Sequence, residues 1–191
     1  MNKTTNIMIV GVGGQGTLLA SRILGNAVIR MGYDVKVSEV HGMSQRGGSV
    51  VTYVKFGDKV YSPIIDNGEA DIVLAFELLE AYRALPALKK DGRLIVNNQK
   101  INPMPVITGA SEYPANITDK LSAKVNTTVV DALALATEAG SIKAVNVVLI
   151  GVMAKNTDIP YEIWIDTIKT TVPPKFLDVN LKAFELGYNF Q

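Results

Sequence analysis

Two short stretches of this chain carry residue types that could do chemistry. The first, GVGGQG at residues 11–16, sets Gly11, Gly13 and Gly16 in a G-x-G-x-x-G spacing, with Gly14 and Gln15 between them. Such glycines permit a tight turn that crowds backbone N–H groups at the start of the next helix, where partial positive charge favours an anion. The second, HGMSQRGGSV at 41–50, gathers an imidazole (His41), a hydroxyl (Ser44), an amide (Gln45) and a guanidinium (Arg46) among Gly42, Gly47 and Gly48. Arg46 could clamp a carboxylate or phosphate through its rigid fork of donors, and His41 could exchange a proton near neutral pH or donate a hydrogen bond. Each feature also has a plainer use. The glycines could serve only to pack a helix on a strand, Gln15 could be an ordinary loop amide, His41 a structural residue, and Arg46 a tie within its own loop.

The elements around these stretches decide where they lie. NIMIV is a short apolar run ending on glycine, as a buried parallel strand does. Leu19, Ile23, Ala27 and Met31 then recur at helical spacing, with Leu24 and Val28 widening the face, until Gly32 ends the helix. YDVKVSEV reads as a second strand, completing a βαβ unit, so both glycine-rich loops fall at the carboxyl edge of one sheet, where open α/β sheets bind ligands. SVVTYVKF alternates in the manner of a strand, and Gly57-Asp58 followed by KVYSP predicts a hairpin. DIVLAF and RLIVN are further strands, and ELLEAYRALPAL between them puts Leu78, Leu79, Tyr82 and Leu85 on a helical stripe. Residues 97–114 hold three prolines and two strand-sized pieces, predicting an extended crossover. NTTVVDALALATEAG reads as strand then helix, with Asp131 as N-cap and Gly140 as the residue past its end. AVNVVLIGVMA is apolar nearly all round, a helix for a core or for another protein's surface, and the tail reads as an amphipathic helix opened by prolines. The expected fold is a single-domain, three-layer Rossmann-like α/β arrangement over residues 1–191, its sheet mostly parallel with one antiparallel hairpin.

Composition narrows the functions. With 48% hydrophobic residues, 19% charged residues and a net charge of +1, the chain offers no polyanion footprint and is greasy enough to present an interface. The short apolar run near the N-terminus is interrupted too soon for a signal peptide or a membrane span, which points to a cytoplasmic protein without nucleic-acid or membrane partners. There are no cysteines and a single histidine, so no thiolate-bound cluster can be held here and no metal site is expected. A self-sufficient NAD(P) or FAD enzyme would need an acid at the end of the second strand to hold a ribose, and Glu39 is the sole candidate. A regulatory or assembly subunit with no catalytic loop would suit the apolar segment near residues 145–154 equally well.

Six segments taken together, GVGGQGTLLASRIL, VSEVHGMSQRGGSV, ADIVLAFELLEAYRALPAL, LIVNNQKINP, NVVLIGVMAK and NLKAFELG, resemble almost end to end the small, gamma-type subunits of the 2-oxoacid:ferredoxin oxidoreductases. Pyruvate-type members carry a tyrosine–glycine–proline–glutamate element before the arginine–glycine pair. Here that place reads His41-Gly42-Met43-Ser44-Gln45, similar to the indolepyruvate branch. The resemblance implies a heteromeric enzyme that oxidatively decarboxylates an aryl 2-oxoacid to acyl-coenzyme A and passes electrons to ferredoxin. A large partner subunit would hold thiamine diphosphate and the [4Fe-4S] clusters, and this chain, alone or as a homodimer, would hold no cofactor. On that resemblance, Gly11, Gly13, Gly14, Gln15 and Gly16 in the first loop and Gly42, Ser44, Gln45, Gly47 and Gly48 in the second are expected to face the partner's active site, the first loop offering backbone N–H groups to anionic groups of coenzyme A or substrate, with Arg46 and His41 as the catalytic candidates.

Overall fold

The computed structural model describes residues 4–42 and 47–191. In chain order, β1 (Thr4–Val12), α1 (Thr17–Arg30), β2 (Asp34–His41), β3 (Ser49–Gly57), β4 (Ala70–Ala75), α2 (Leu78–Ala84) and β5 (Leu88–Asn97) are followed by α3 (Met104–Ile107), α4 (Ile117–Ser122), β6 (Asn126–Val130), α5 (Ala132–Ala139), α6 (Val145–Ala154), α7 (Tyr161–Thr171) and α8 (Leu177–Tyr188). The strands form one six-stranded sheet in the order β2-β3-β1-β4-β5-β6. β1, β4, β5 and β6 run parallel, while β3 lies antiparallel between β1 and β2.

This order corrects one expectation. β3 pairs with β1 along one edge and with β2 along the other, so both of its ladders are filled and a strand over residues 59–63 would find no partner. The antiparallel hairpin is β2–β3, closed through the second glycine-rich loop. After Gly57 the chain is held as a loop by Asp34, whose carboxylate accepts from the Val60 N–H at 2.9 Å. The same order carries β1 and β2 apart: they remain parallel, but β3 fills the slot between them.

Residues 98–114 also differ from expectation, containing the short α3 and no strand. With prolines at 103, 105 and 114 the segment cannot donate a continuous ladder. α7, which follows Pro160 and packs Trp164 fully into the core, completes the helices on its side of the sheet.

Alternation along β1 divides the core. Ile7 and Ile9 face α1, α6 and the helices beyond, whereas Met8 and Val10 face α2 and α4. α6 is buried from Asn146 through Ala154, packed between the sheet and α8, so its apolar circumference is consumed within the chain. α6 and α8 meet backbone to backbone. A Cβ on Gly151 would stand 2.3 Å from the Phe184 carbonyl oxygen, and one on Gly187 2.0 Å from that of Val148. Among the described residues no helix is long and apolar enough to cross a membrane.

Candidate functional site

The two glycine-rich loops meet. The Gly13 N–H donates to the Gly48 carbonyl at 2.9 Å, tying the turn after β1 to the foot of β3 at the carboxyl edge of the parallel strands. Gly14 and Gly16 hold left-handed backbone, with φ of 99° and 84°, a conformation that a Cβ opposes. Gly16 serves as the N-cap of α1, with no side-chain cap and no acidic residue in the first turn. The N–H groups of Gly14, Gly16, Thr17 and Leu18 find no acceptor among the described residues. Such a helix start is electrostatically suited to an anion.

Gln15 organises the turn from beneath. Its Oε1 accepts from Val12 N–H at 2.7 Å, and its Nε2 donates to the Phe76 carbonyl at 3.0 Å and to Gln99 Oε1 at 3.1 Å. The side-chain amide thereby joins the carboxyl ends of β1, β4 and β5. Gly11 leaves room for it, since a Cβ there would lie 2.9 Å from Gln15 Oε1 and 3.0 Å from Phe76 Cβ. Asn97, 1% exposed, continues the polar layer, its Nδ2 donating to Gln99 Oε1 at 3.1 Å and its Oδ1 accepting from Ala132 N–H at 3.1 Å.

His41 ends β2 in register with Val50, which is in turn opposite Gly11. The imidazole is exposed, with Nδ1 3.0 Å from the Gly42 carbonyl oxygen. Two strand spacings, roughly 10 Å, separate its backbone from the glycine turn. Gly42 and Gly47 are likewise exposed, and Gly48 half-buried. Ser44, Gln45 and Arg46 lie outside the described residues. Glu39 does not meet the demand of a dinucleotide site: β3 displaces its strand from β1, and its carboxylate accepts from Thr52 Oγ1 at 3.2 Å.

Two buried carboxylates, absent from the sequence reading, complete this edge. Glu77, 1% exposed, caps α2 by accepting from Glu80 N–H at 2.9 Å, and it accepts from Ile101 N–H at 3.0 Å and from the Tyr113 hydroxyl. One carboxylate thus closes the loop that runs from 101 to 113. Burial, and then the Glu77 charge, push the Tyr113 phenol well above the usual tyrosine range, so it stays a donor at any physiological pH. Glu80 accepts from Ser49 Oγ at 2.5 Å and from Arg83 at 2.6 Å. The signal was present in the sequence: a glutamate directly after a buried strand, with a second three positions on, is the pattern of a helix start. The stripe of leucines in ELLEAYRAL hid it.

A cleft of about 850 Å³ lies at the opposite, amino edge, among Thr5, Phe56, Ile72, Lys89 and Asp158. Its Lys89 is spent on Asp71 at 2.5 Å, and it lies away from the carboxyl ends of the parallel strands, where open sheets receive ligands. The carboxyl edge is the candidate site. Among the described residues there is no cluster of three or more His, Asp or Glu able to hold a metal ion.

Comparison with known proteins gives this site a family. The model of the pyruvate ferredoxin/flavodoxin oxidoreductase family matches residues 6–190. The chain is 46% identical to the indolepyruvate oxidoreductase subunit IorB of Thermococcus kodakarensis, over 97% of this chain and 95% of the relative. It is 42% identical to the IorB subunit of Archaeoglobus fulgidus, over 96% and 94%. Among solved structures, the gamma subunit of a keto/oxoacid ferredoxin oxidoreductase from Geobacter sulfurreducens superposes with a TM-score of 0.72 at 26% identity, covering 96% of each chain. With β1 from Asn6 on, the other five strands and both glycine-rich loops inside the matched span, the chain belongs to the pyruvate ferredoxin/flavodoxin oxidoreductase family.

Proposed function

We propose that this chain is the small subunit of a heteromeric oxidoreductase that converts an aryl 2-oxoacid of the indolepyruvate kind, with coenzyme A, into the acyl-coenzyme A thioester and carbon dioxide, a pair of electrons leaving to ferredoxin. The reading of substrate rests on similarity to indolepyruvate oxidoreductase subunits over nearly the full length of both chains. The donor set argues for a partner. With no cysteine this chain cannot ligate an iron–sulfur cluster, so the clusters, together with thiamine diphosphate, belong to the large subunit. Thiamine diphosphate supplies the stabilised carbanion chemistry of decarboxylation, and the protein supplies orientation and electrostatics.

What this chain adds is an anion-receiving lip at the carboxyl edge of its sheet. The observation that carries this role is the uncapped start of α1 at Gly16, tied through Gly13 to the second loop. The first-turn N–H groups bind phosphate of coenzyme A or carboxylate of substrate, Gln15 keeps the turn in shape, and Arg46 adds charge, with Ser44 and Gln45 positioning. His41 flanks the lip as a hydrogen-bonding residue. An assembly role without a catalytic loop is less favoured, because α6, the segment that suggested docking, is buried inside the chain itself.

Leu18 offers a direct test, as it is 48% exposed in the first turn of α1. Leu18→Glu adds a negative charge where the helix dipole welcomes it, so folding is preserved while a bound anion is repelled. In the assembled enzyme KM should rise roughly tenfold, about 1.4 kcal/mol, for whichever of coenzyme A or 2-oxoacid the lip holds, with Leu18→Gln near the parent. Unchanged KM for both substrates would remove the lip from the mechanism.

A further inference from the structure

The glycine turn is also held from outside. Its Gly13 N–H is fixed by the Gly48 carbonyl at 2.9 Å, and the next residue, Ser49, donates its hydroxyl to Glu80 Oε2 at 2.5 Å. Glu80 is 5% exposed, a costly place for a carboxylate. Its other oxygen pairs with Arg83, one helical turn on and 53% exposed. A glutamate and an arginine at this spacing can pair in water without any burial, so the pair alone does not account for a carboxylate turned inward. Ser49 does account for it, since the hydroxyl reaches Glu80 from the foot of β3.

The opposite flank of the turn leads back to the same helix. Gln15 donates to Gln99 Oε1 at 3.1 Å, and the Gln99 carbonyl accepts from Leu78 N–H at 2.9 Å, at the start of α2. The first turn of α2 therefore braces the glycine turn from both sides, through Glu80, Ser49 and Gly48 on one and through Leu78 and Gln99 on the other. On the second flank the link is backbone and neutral amide. On the first it passes through a single charged side chain and a single hydroxyl.

We infer that Glu80 is a positioning residue that holds the glycine turn, through Ser49 and Gly48, in the geometry that presents the first N–H groups of α1. Its kinetic consequence rests on the reading of that turn as the anion-receiving lip. Its structural consequence does not.

Two variants test it. Ser49→Ala removes the donor, and Glu80→Gln leaves one acceptor oxygen for two donors. Hydrogen exchange on the full chain should quicken roughly tenfold or more at the hydrogen-bonded amides of Gly13 and Gln15 in both, the order expected when a hydrogen bond to a charged group is lost. Exchange in α6 and α8 should stay at the parental rate. Ser49→Thr, which keeps the hydroxyl on a residue at ease in a strand, should restore protection. In the assembled enzyme the same variants should raise the KM affected by Leu18→Glu while leaving kcat within about twofold.

Parental exchange at Gly13 and Gln15 in both variants overturns the inference, and so does exchange that rises equally in α6 and α8, which would mark a general loss of fold. Faster local exchange with an unmoved KM, where Leu18→Glu does raise KM, also overturns it, because the turn would then need no positioning to act. If Leu18→Glu itself has no effect, the reading of the lip fails, and local exchange with threonine rescue still supports Glu80 as the brace.

Discussion

Glycines occupy two regions of this molecule for unlike reasons. In the turn after β1, Gly14 and Gly16 hold left-handed backbone, and Gly14 has nothing within 4 Å of where a Cβ would stand. At the α6–α8 crossing, Gly151 and Gly187 sit in helices, and a Cβ on either would stand 2.3 Å or 2.0 Å from a backbone oxygen of the facing helix. At Gly14 the turn needs glycine for a dihedral angle alone, whereas the crossing needs it for volume. A Cβ at the first site strains one residue. At the second it forces two helices apart and opens the core around Phe184 and Trp164, both fully buried.

Gly187→Ala is the strongest way to break this comparison. The obstacle is backbone, which cannot swing aside as a flexible side chain would, and relief to an ordinary carbon–oxygen contact requires a helix shift of about 1.5 Å. The expected loss is about 3 kcal/mol, at the upper end for overpacked cores, seen as a lower urea midpoint. A parental midpoint would show that α6 and α8 do not depend on this approach.

Gln15→Ala tests the turn's other requirement, its internal amide. The substitution strands the Val12 N–H and takes one of two donors from the Phe76 carbonyl and from Gln99 Oε1, each of which keeps Asn97 Nδ2. A loss of about 2 kcal/mol follows from the stranded N–H and the weakened layer, between the effect at the crossing and that of a strained dihedral. Gln15→Glu should fall as low or lower, because its carboxylate would face the Phe76 carbonyl with no proton to give. A cost for Gln15→Ala within a few tenths of the parent would mean that water replaces the amide and that the turn is looser than its geometry indicates.

The contrast also explains what the sequence made legible. The glycine turn could be read because its spacing follows a strand and precedes a helix, so local chemistry and local pattern agree. Asp131 as N-cap and Gly140 past the end of α5 were legible on the same grounds: Asp131 accepts from Ala134 N–H at 2.9 Å, and Gly140 has φ of 109°. Gly151 and Gly187 lie 36 positions apart in the chain and are meaningful only as a pair across two helices, which no local pattern records. Strand order was hidden for a similar reason. The alternation in β3 identifies a strand, but the choice of β1 and β2 as its neighbours, over KVYSP, is a tertiary one. Glu80 was obscured because a buried carboxylate and a solvated one look alike in sequence until Ser49 is seen beside it.

The finest test is Gly14→Ala. The position is exposed and open, with φ of 99°, so the added methyl meets no atom and its whole effect is conformational. A left-handed alanine costs about 1 kcal/mol, well below the expected loss at Gly187. Gly14→Asn should recover part of it, since asparagine tolerates this region better than other residues with a Cβ. The pair of values separates angle from volume within one protein. Should Gly14→Ala lower the urea midpoint as far as Gly187→Ala, the turn would be packed against something in solution, and its openness to a ligand would have to be abandoned.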